Sequence, residues 1–187
     1  MDYKYILPLG LVLFFLSFRP SGAFASEEFD QADIRVGVDI GGGNVKSSVN
    51  GNNENDSALY LGFRVLYRAD PNYLIGLELS GWTLGSGNLW DPSKGEAISQ
   101  VFFVTQYYPK VDSGLFLKAG GGYASYWSNQ PGESGRKSGS GFTLGGGYDY
   151  SIQNDWTLTP FVSFGIAKFD RDDRNGWALG VGLSNNF

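Results

Sequence analysis

From Asp33 to the end of the chain, apolar residues alternate with polar or small ones at a period of two. In the first stretch Ile34, Val36, Val38 and Ile40 stand against Arg35, Gly37, Asp39 and Gly41. Successive side chains of a β-strand point to opposite faces, so this spacing predicts a strand with one apolar face. The pattern recurs at Leu59, Leu61, Phe63, Val65 and Tyr67, and again at Tyr73, Ile75, Leu77 and Leu79. It returns at Leu115, Leu117, Ala119, Gly121 and Tyr123, and at Phe142, Leu144, Gly146, Tyr148 and Tyr150. Two last runs are Leu158, Pro160, Val162, Phe164 and Ile166, then Trp177, Leu179, Val181 and Leu183 ahead of Phe187. Residues 97–108 are apolar on both parities. Taking Val101, Phe103 and Tyr107 as the apolar face leaves Gln100 and Gln106 on the other. Eight segments of about ten residues result, the length a tilted strand needs to cross a hydrocarbon layer.

The opposite parity carries the charges: Arg35, Asp39, Arg64, Arg68, Glu78, Lys118 and Asp149. A soluble barrel turns its apolar face inward, whereas a membrane barrel turns it toward lipid and lines the interior with the polar face. Eight strands enclose a space only wide enough for side chains, so these seven groups are cut off from bulk water and must pair, acid with base. Asp39, Arg64 and Glu78 are expected near mid-membrane, and Arg35, Arg68, Lys118 and Asp149 toward the turns. The fold class specified is all-β, an eight-stranded antiparallel up-and-down transmembrane β-barrel with a plugged lumen.

Connector lengths alternate as well. Long polar stretches fall at Asn44 to Ser57, Gly85 to Glu96, Ser128 to Ser140 and Asp170 to Asn175. Between them, Ala69 to Asn72, Pro109 to Gly114 and Gln153 to Asp155 are short and rich in Pro, Asp, Asn and Gly, the residues of tight turns. Short turns are expected on the periplasmic side and long loops outside. Aromatic residues gather at both predicted strand ends. Tyr67, Tyr73, Tyr107 and Trp156 mark the turn side, with Tyr108, Tyr148, Tyr150 and Phe187 beside them; Trp82, Trp127, Phe169 and Trp177 mark the loop side. Rings with an apolar body and a polar tip favour the two membrane interfaces.

Composition narrows the chemistry. Glycine makes up 28 of 187 residues, twice the ordinary share, and a mostly helical protein is excluded by its cost in helix interiors. Cysteine and histidine are both absent, which removes disulfides, thiolate and histidine metal sites, and Ser-His-Asp or Cys-His catalysis. At the front, Lys4, an apolar run from Tyr5 to Phe18 and Ala23-Phe24-Ala25 read as an export signal cleaved after Ala25, leaving one domain over 26–187. Taking away Asp2, Lys4 and Arg19 moves the formal charge from −5 to −6. A net-acidic chain without a basic stripe is a poor partner for nucleic acid.

Four features together resemble the small eight-stranded outer-membrane β-barrel family of opacity-protein and OmpX-like type. They are the signal, the strand Leu117-Lys118-Ala119-Gly120-Gly121-Gly122-Tyr123, the strand Trp156-Thr157-Leu158-Thr159-Pro160-Phe161-Val162, and the ending Ala178 to Phe187. The resemblance spans nearly the whole mature chain. It implies a protein of the bacterial outer membrane, in contact with membrane lipid and lipopolysaccharide, with exterior loops serving adhesion or envelope stability. It also implies that Trp177, Leu179, Val181, Leu183 and Phe187 form the signal read by the outer-membrane assembly machinery, although Asn185 departs from the usual apolar residue there.

The remaining motifs are weak. Gly41-Gly42-Gly43 and Gly120-Gly121-Gly122 lack phosphate-loop spacing, and Ser134-Gly135-Arg136-Lys137 matches Ser-x-x-Lys only within a predicted loop. Asp170-Arg171-Asp172-Asp173-Arg174 lacks the Gly and Glu of a calcium loop and reads as a solvated tip, open at most to a loose divalent ion or lipopolysaccharide headgroup. The expected function is a non-enzymatic barrel without cofactor or metal, whose loops touch an extracellular or host ligand. The alternatives are a small pore, a lipid-modifying barrel enzyme of a class that relies on the histidine this chain lacks, and a soluble lipocalin-like carrier.

Overall fold

The computed structural model describes residues 34–49, 52–84, 95–110, 113–129, 135–152, 155–170 and 172–187. The expected export signal lies outside them. The strands are β1 Ile34–Val49, β2 Asn52–Asp70, β3 Tyr73–Leu84, β4 Glu96–Tyr107, β5 Leu115–Ser128, β6 Gly135–Tyr148, β7 Tyr150–Ser151, β8 Trp156–Phe169 and β9 Asp172–Asn186. β6 and β7 are one stave interrupted at Asp149, and both pair with β8. Every neighbouring pair is antiparallel, and β1 pairs with both β2 and β9, so eight staves close into a barrel. Closure is sealed by the last residue, where Ile34 and Phe187 exchange backbone hydrogen bonds of 3.2 and 2.9 Å.

Register fixes the barrel's shape. Stepping across the ladders from Val36 leads to Val65, Leu77, Phe103, Gly121, Phe142, Ile166 and Asn175, and back to β1 at Lys46. The circuit returns ten residues further along β1. An even stagger keeps every step on one parity, so inside and outside stay consistent all the way round. With a rise of ~3.3 Å per residue and strands ~4.8 Å apart, ten residues over eight staves gives a tilt of about 40°.

Apolar side chains of the predicted parity point away from the axis. Ile40, Leu77, Phe103 and Leu179 are each more than half exposed, and Leu61 and Val181 nearly so. In the fourth segment Val101, Phe103 and Tyr107 face out while Gln100 and Gln106 are buried. The outward row turns polar at Asn44 on β1, Ser57 on β2, Thr83 on β3, Ser99 on β4, Ser140 on β6 and Asn175 on β9. Projected on the axis, the apolar band is about 20–25 Å tall, the height of an outer-membrane lipid belt. At the turn end, Tyr67, Tyr73, Tyr107, Tyr148, Tyr150 and Trp156 are exposed around its rim, with Tyr73 stacked on Tyr107 at 4.9 Å.

Two of the expected long loops are strand instead. β1 and β2 stay paired from Asn44↔Ser57 up to Val49↔Asn52, so only Asn50-Gly51 connects them. β8 and β9 stay paired up to Phe169↔Asp172. Gly135 to Ser140 belongs to β6 and not to a loop. Beyond the lipid belt alternation loses its apolar half and no longer signals a strand, but both edges of β1 remain hydrogen-bonded to neighbours and the ladder continues into water.

The lumen is lined by side chains of the other parity. On β5 and β6 that face is rich in glycine, with Gly120, Gly122, Gly141, Gly145 and Gly147, and the rings of Phe102 on β4 and Phe116 on β5 lean over β6 into the space. A Cβ on Gly141 would come 2.9 Å from the Phe102 ring and one on Gly147 2.8 Å from Phe116, so these positions admit glycine alone without displacing the rings.

The belt predicts a depth-dependent response. Leu77→Arg, at mid-belt, is expected to lower folding stability in lipid vesicles by about 2–4 kcal/mol, while Thr83→Arg, an outward position past the belt, costs about 0–1 kcal/mol. Urea titrations followed by tryptophan fluorescence measure both; equal costs would remove the belt.

Candidate functional site

Three layers of side chains fill the barrel. At the turn end, the break between β6 and β7 aims the Asp149 carboxylate inward, with its backbone N–H held by the Gly114 carbonyl at 2.9 Å. Gly114 has φ +69°, and a Cβ there would press on the Asp149 carbonyl, so glycine is required on both counts. Asp149 pairs with Arg35, and its oxygens accept hydrogen bonds from the Tyr108 hydroxyl and from Thr159 Oγ1, each at 2.7 Å. Arg35 also donates to Tyr108 at 2.9 Å and to Asn186 Oδ1 at 2.8 Å. Leu66, Leu74, Val104 and Phe116 pack around this cluster.

The middle layer holds two ion pairs. Lys118 Nζ donates to Glu78 Oε2 at 2.6 Å, and the Tyr60 hydroxyl donates to Glu78 Oε1 at 3.1 Å. Arg64 lies 3.4 Å from Asp39, with both side chains 2% exposed. Arg64 is the register partner of Glu78 but turns away from it to Asp39. Space for this comes from glycine: a Cβ on Gly37 would stand 3.1 Å from Arg64 Nε, and one on Gly182 would strike Asp39 Oδ1. The Glu78 pair is the better compensated, since Asp39 Oδ1 and Arg64 Nε have no hydrogen-bond partner among the described residues.

The third layer is aromatic. Trp82 lies edge-on to Tyr60 at 5.0 Å, Phe161 leans on the same ring at 5.7 Å, and the Trp82 indole N–H donates to Gln100 at 3.3 Å. At the hairpin-side mouth, Arg174 stacks 3.7 Å over the Tyr126 ring and bridges Asp172 at 3.0 Å and Glu96 at 3.2 Å. Lys137 reaches Asp172 at 3.4 Å. Burial pushes the Tyr126 hydroxyl up to about 12, so the ring under Arg174 stays neutral at physiological pH.

Of the seven predicted lumen residues, six meet in these pairs: Arg35 with Asp149, Arg64 with Asp39, Lys118 with Glu78. Lys118 belongs to the middle layer and not to the turn end, because its long stem carries the ammonium up to Glu78. Arg68 sits at the turn, part exposed, where its guanidinium donates to the Pro71 carbonyl at 3.3 Å. Trp82 is not an interfacial residue but a buried part of the plug, and Tyr108 and Phe169 also point inward. Trp127 is half-buried two outward positions past Tyr123, beyond the belt edge. Trp177, Leu179, Val181, Leu183 and Phe187 all lie on the outer face of the closing strand.

Sequence reasoning missed the mouth cluster. Asp172 and Arg174 belong to the predicted solvated tip, yet both are buried. Continuing the β9 parity past Ala178 to Gly176, Arg174 and Asp172 would have placed them inside. Among the described residues no group of three His, Cys, Asp or Glu is arranged to hold a metal ion.

The fold matches known proteins across most of the chain. Neisserial surface protein A superposes with a TM-score of 0.57 over 82% of this chain and 97% of its own, at 13% identity. The N-terminal β-barrel domain of Pseudomonas aeruginosa OprF gives 0.52 over 84% and 98%, at 14% identity. With the apolar belt, this decides the class. The chain has the fold of the small eight-stranded outer-membrane β-barrels. No protein-family model matches the sequence, nor does any curated protein.

Breaking the middle layer has a defined cost. Glu78→Ala leaves the Lys118 ammonium buried without its carboxylate and is expected to destabilise the barrel by about 3–5 kcal/mol, whereas Glu78→Met with Lys118→Met together is near neutral. A double-mutant cycle by urea unfolding in vesicles measures this; additive losses would mean the two residues do not interact.

Proposed function

We propose that this chain is a non-enzymatic integral protein of the bacterial outer membrane whose filled lumen carries no solute and whose hairpin end faces outward. There it contacts lipopolysaccharide and serves surface attachment or envelope stability. The lumen supports this reading most directly: ion pairs, hydrogen-bonded hydroxyls and the Tyr60, Trp82 and Phe161 rings occupy successive levels of the bore. A pore of this width needs unpaired polar groups along a wet path, and Arg35, Arg64 and Lys118 are each committed to a carboxylate. The ladders β1–β2 and β8–β9 extend beyond the lipid belt as paired strands, which gives the exterior a firm sheet surface on which to build contacts.

Residues 1–25 are the export signal in this reading, and the closing strand that ends at Phe187 is the segment recognised during assembly. Its outward Trp177, Leu179, Val181 and Leu183 form a continuous apolar row for such recognition.

Two experiments test the proposal. In planar bilayers the purified protein is expected to give no stepwise conductance above the lipid background, while Trp82→Ala with Phe161→Ala opens measurable steps; discrete openings of the natural protein would establish a pore instead. Mass measurement of the protein from outer membranes is expected to find Ser26 as the first residue, and an intact Met1 would make the leading segment an anchor.

A further inference from the structure

We propose that the outward face of β8, β9 and β1, at the hairpin-side edge of the lipid belt, binds the phosphorylated head of an outer-leaflet glycolipid between Lys46 and Lys168. The inference rests on the orientation proposed above. On β8 the outward row runs Phe164, Ile166, Lys168, and on β1 it runs Ile40, Gly42, Asn44, Lys46, so each lysine follows the last lipid-facing positions of its strand. β9 lies between them, with Asn175 in the row that joins Ile166 to Lys46 and Asp173 in the row that joins Lys168 to Ser48. The lysines are two strand spacings apart across the sheet and two residues apart along it, about 12 Å, within reach of one head group for two extended side chains.

Their pairing state sets them apart. Among the described residues Arg35, Arg64, Lys118, Lys137 and Arg174 are held in ion pairs, and Arg68 and Arg136 in hydrogen bonds. Lys46 and Lys168 have neither, and both are exposed. Lys110, equally free, lies at the opposite end. A groove lined by Lys46, Ser48, Asp173 and Asn175, with Phe169, Asp170 and Asp172 at its top, opens beside Lys46. Below it, nothing stands within 4 Å of a Cβ built on Gly42, between Leu59 and Leu179 on the flanking strands, which leaves a trough for one acyl chain. Ammonium groups at the polar edge of a membrane attract anionic head groups. Asp173, opposite Lys168, is the nearest adverse charge; Asp170 and Asp172 lie beyond it, and Asp172 is itself paired with Arg174 and Lys137.

Native mass spectrometry of the detergent-solubilised full chain, in chelator, tests the assignment with three probes: diphosphorylated lipid A, the same lipid dephosphorylated, and phosphatidylglycerol. The natural chain is expected to bind the diphosphorylated lipid at least tenfold more tightly than the other two. Lys46→Gln with Lys168→Gln removes that preference, each single change removes part of it, Lys110→Gln leaves it intact, and Asp173→Asn strengthens it. Equal binding of all three lipids, or a double variant that binds like the natural chain, overturns the site. Weaker binding by Asp173→Asn overturns direct lysine contact in favour of an ion bridge. Heat-modifiable migration of each variant from outer-membrane fractions separates the two readings: a barrel that fails to reach the membrane refutes the orientation and location, whereas an intact barrel without lysine dependence refutes only the lipid site.

Discussion

Hydrocarbon offers the backbone no hydrogen-bond partner, and every other feature of this molecule follows from that constraint. A strand in lipid must give both edges to neighbours, which forces closure, and closure with eight staves is complete here only because β1 accepts β9 on one side and β2 on the other. The stagger of ten residues, set by the ladders and not by any side chain, keeps one parity outside throughout. Sorting of side chains into lipid and lumen is therefore a consequence of the hydrogen-bond geometry.

Closure creates a second problem inside. Eight strands leave a bore that excludes bulk water yet receives half of the side chains, including six charges that meet as three pairs. Hydrogen bonds from Tyr108 and Thr159 to Asp149, and from Tyr60 to Glu78, supply what the pairs alone do not. Bare glycine walls on β5 and β6 accept Phe102 and Phe116, so ionic and aromatic layers interlock. The plug resists opening because Arg35 with Asp149 at the turn end, and Phe161 against Tyr60 in the aromatic layer, tie together strands three staves apart.

The outer surface divides by depth. Within the belt it is apolar apart from Thr105, and at the turn end a ring of Tyr67, Tyr73, Tyr107, Tyr148, Tyr150 and Trp156 marks the interface. Beyond the opposite edge the same strands continue with Asn, Ser, Lys and Asp on their outer face. The chain thus carries its hairpin-end surface on paired strands that begin within the apolar belt, so a firm barrel wall supports any contact made there.

Alternation along the chain determined the strands, their number within the membrane and the face each residue takes, because a pleated strand has period two whatever its neighbours do. It placed Leu61, Leu77 and Val181 outside and Arg64 and Glu78 inside without knowledge of partners. Strand ends beyond the lipid were not legible, since water imposes no apolar half on the pattern. Nor was the identity of each ion pair. Arg35 and Asp149 are 114 positions apart, and Arg64 prefers Asp39 to its own register partner Glu78, choices made by stagger, side-chain length and glycine gaps across the bore. Trp82 shows the same division: its sequence neighbours suggest a membrane edge, but pleat direction and the space beside Tyr60 turn it inward. Such distances between strands exist only once the barrel has closed.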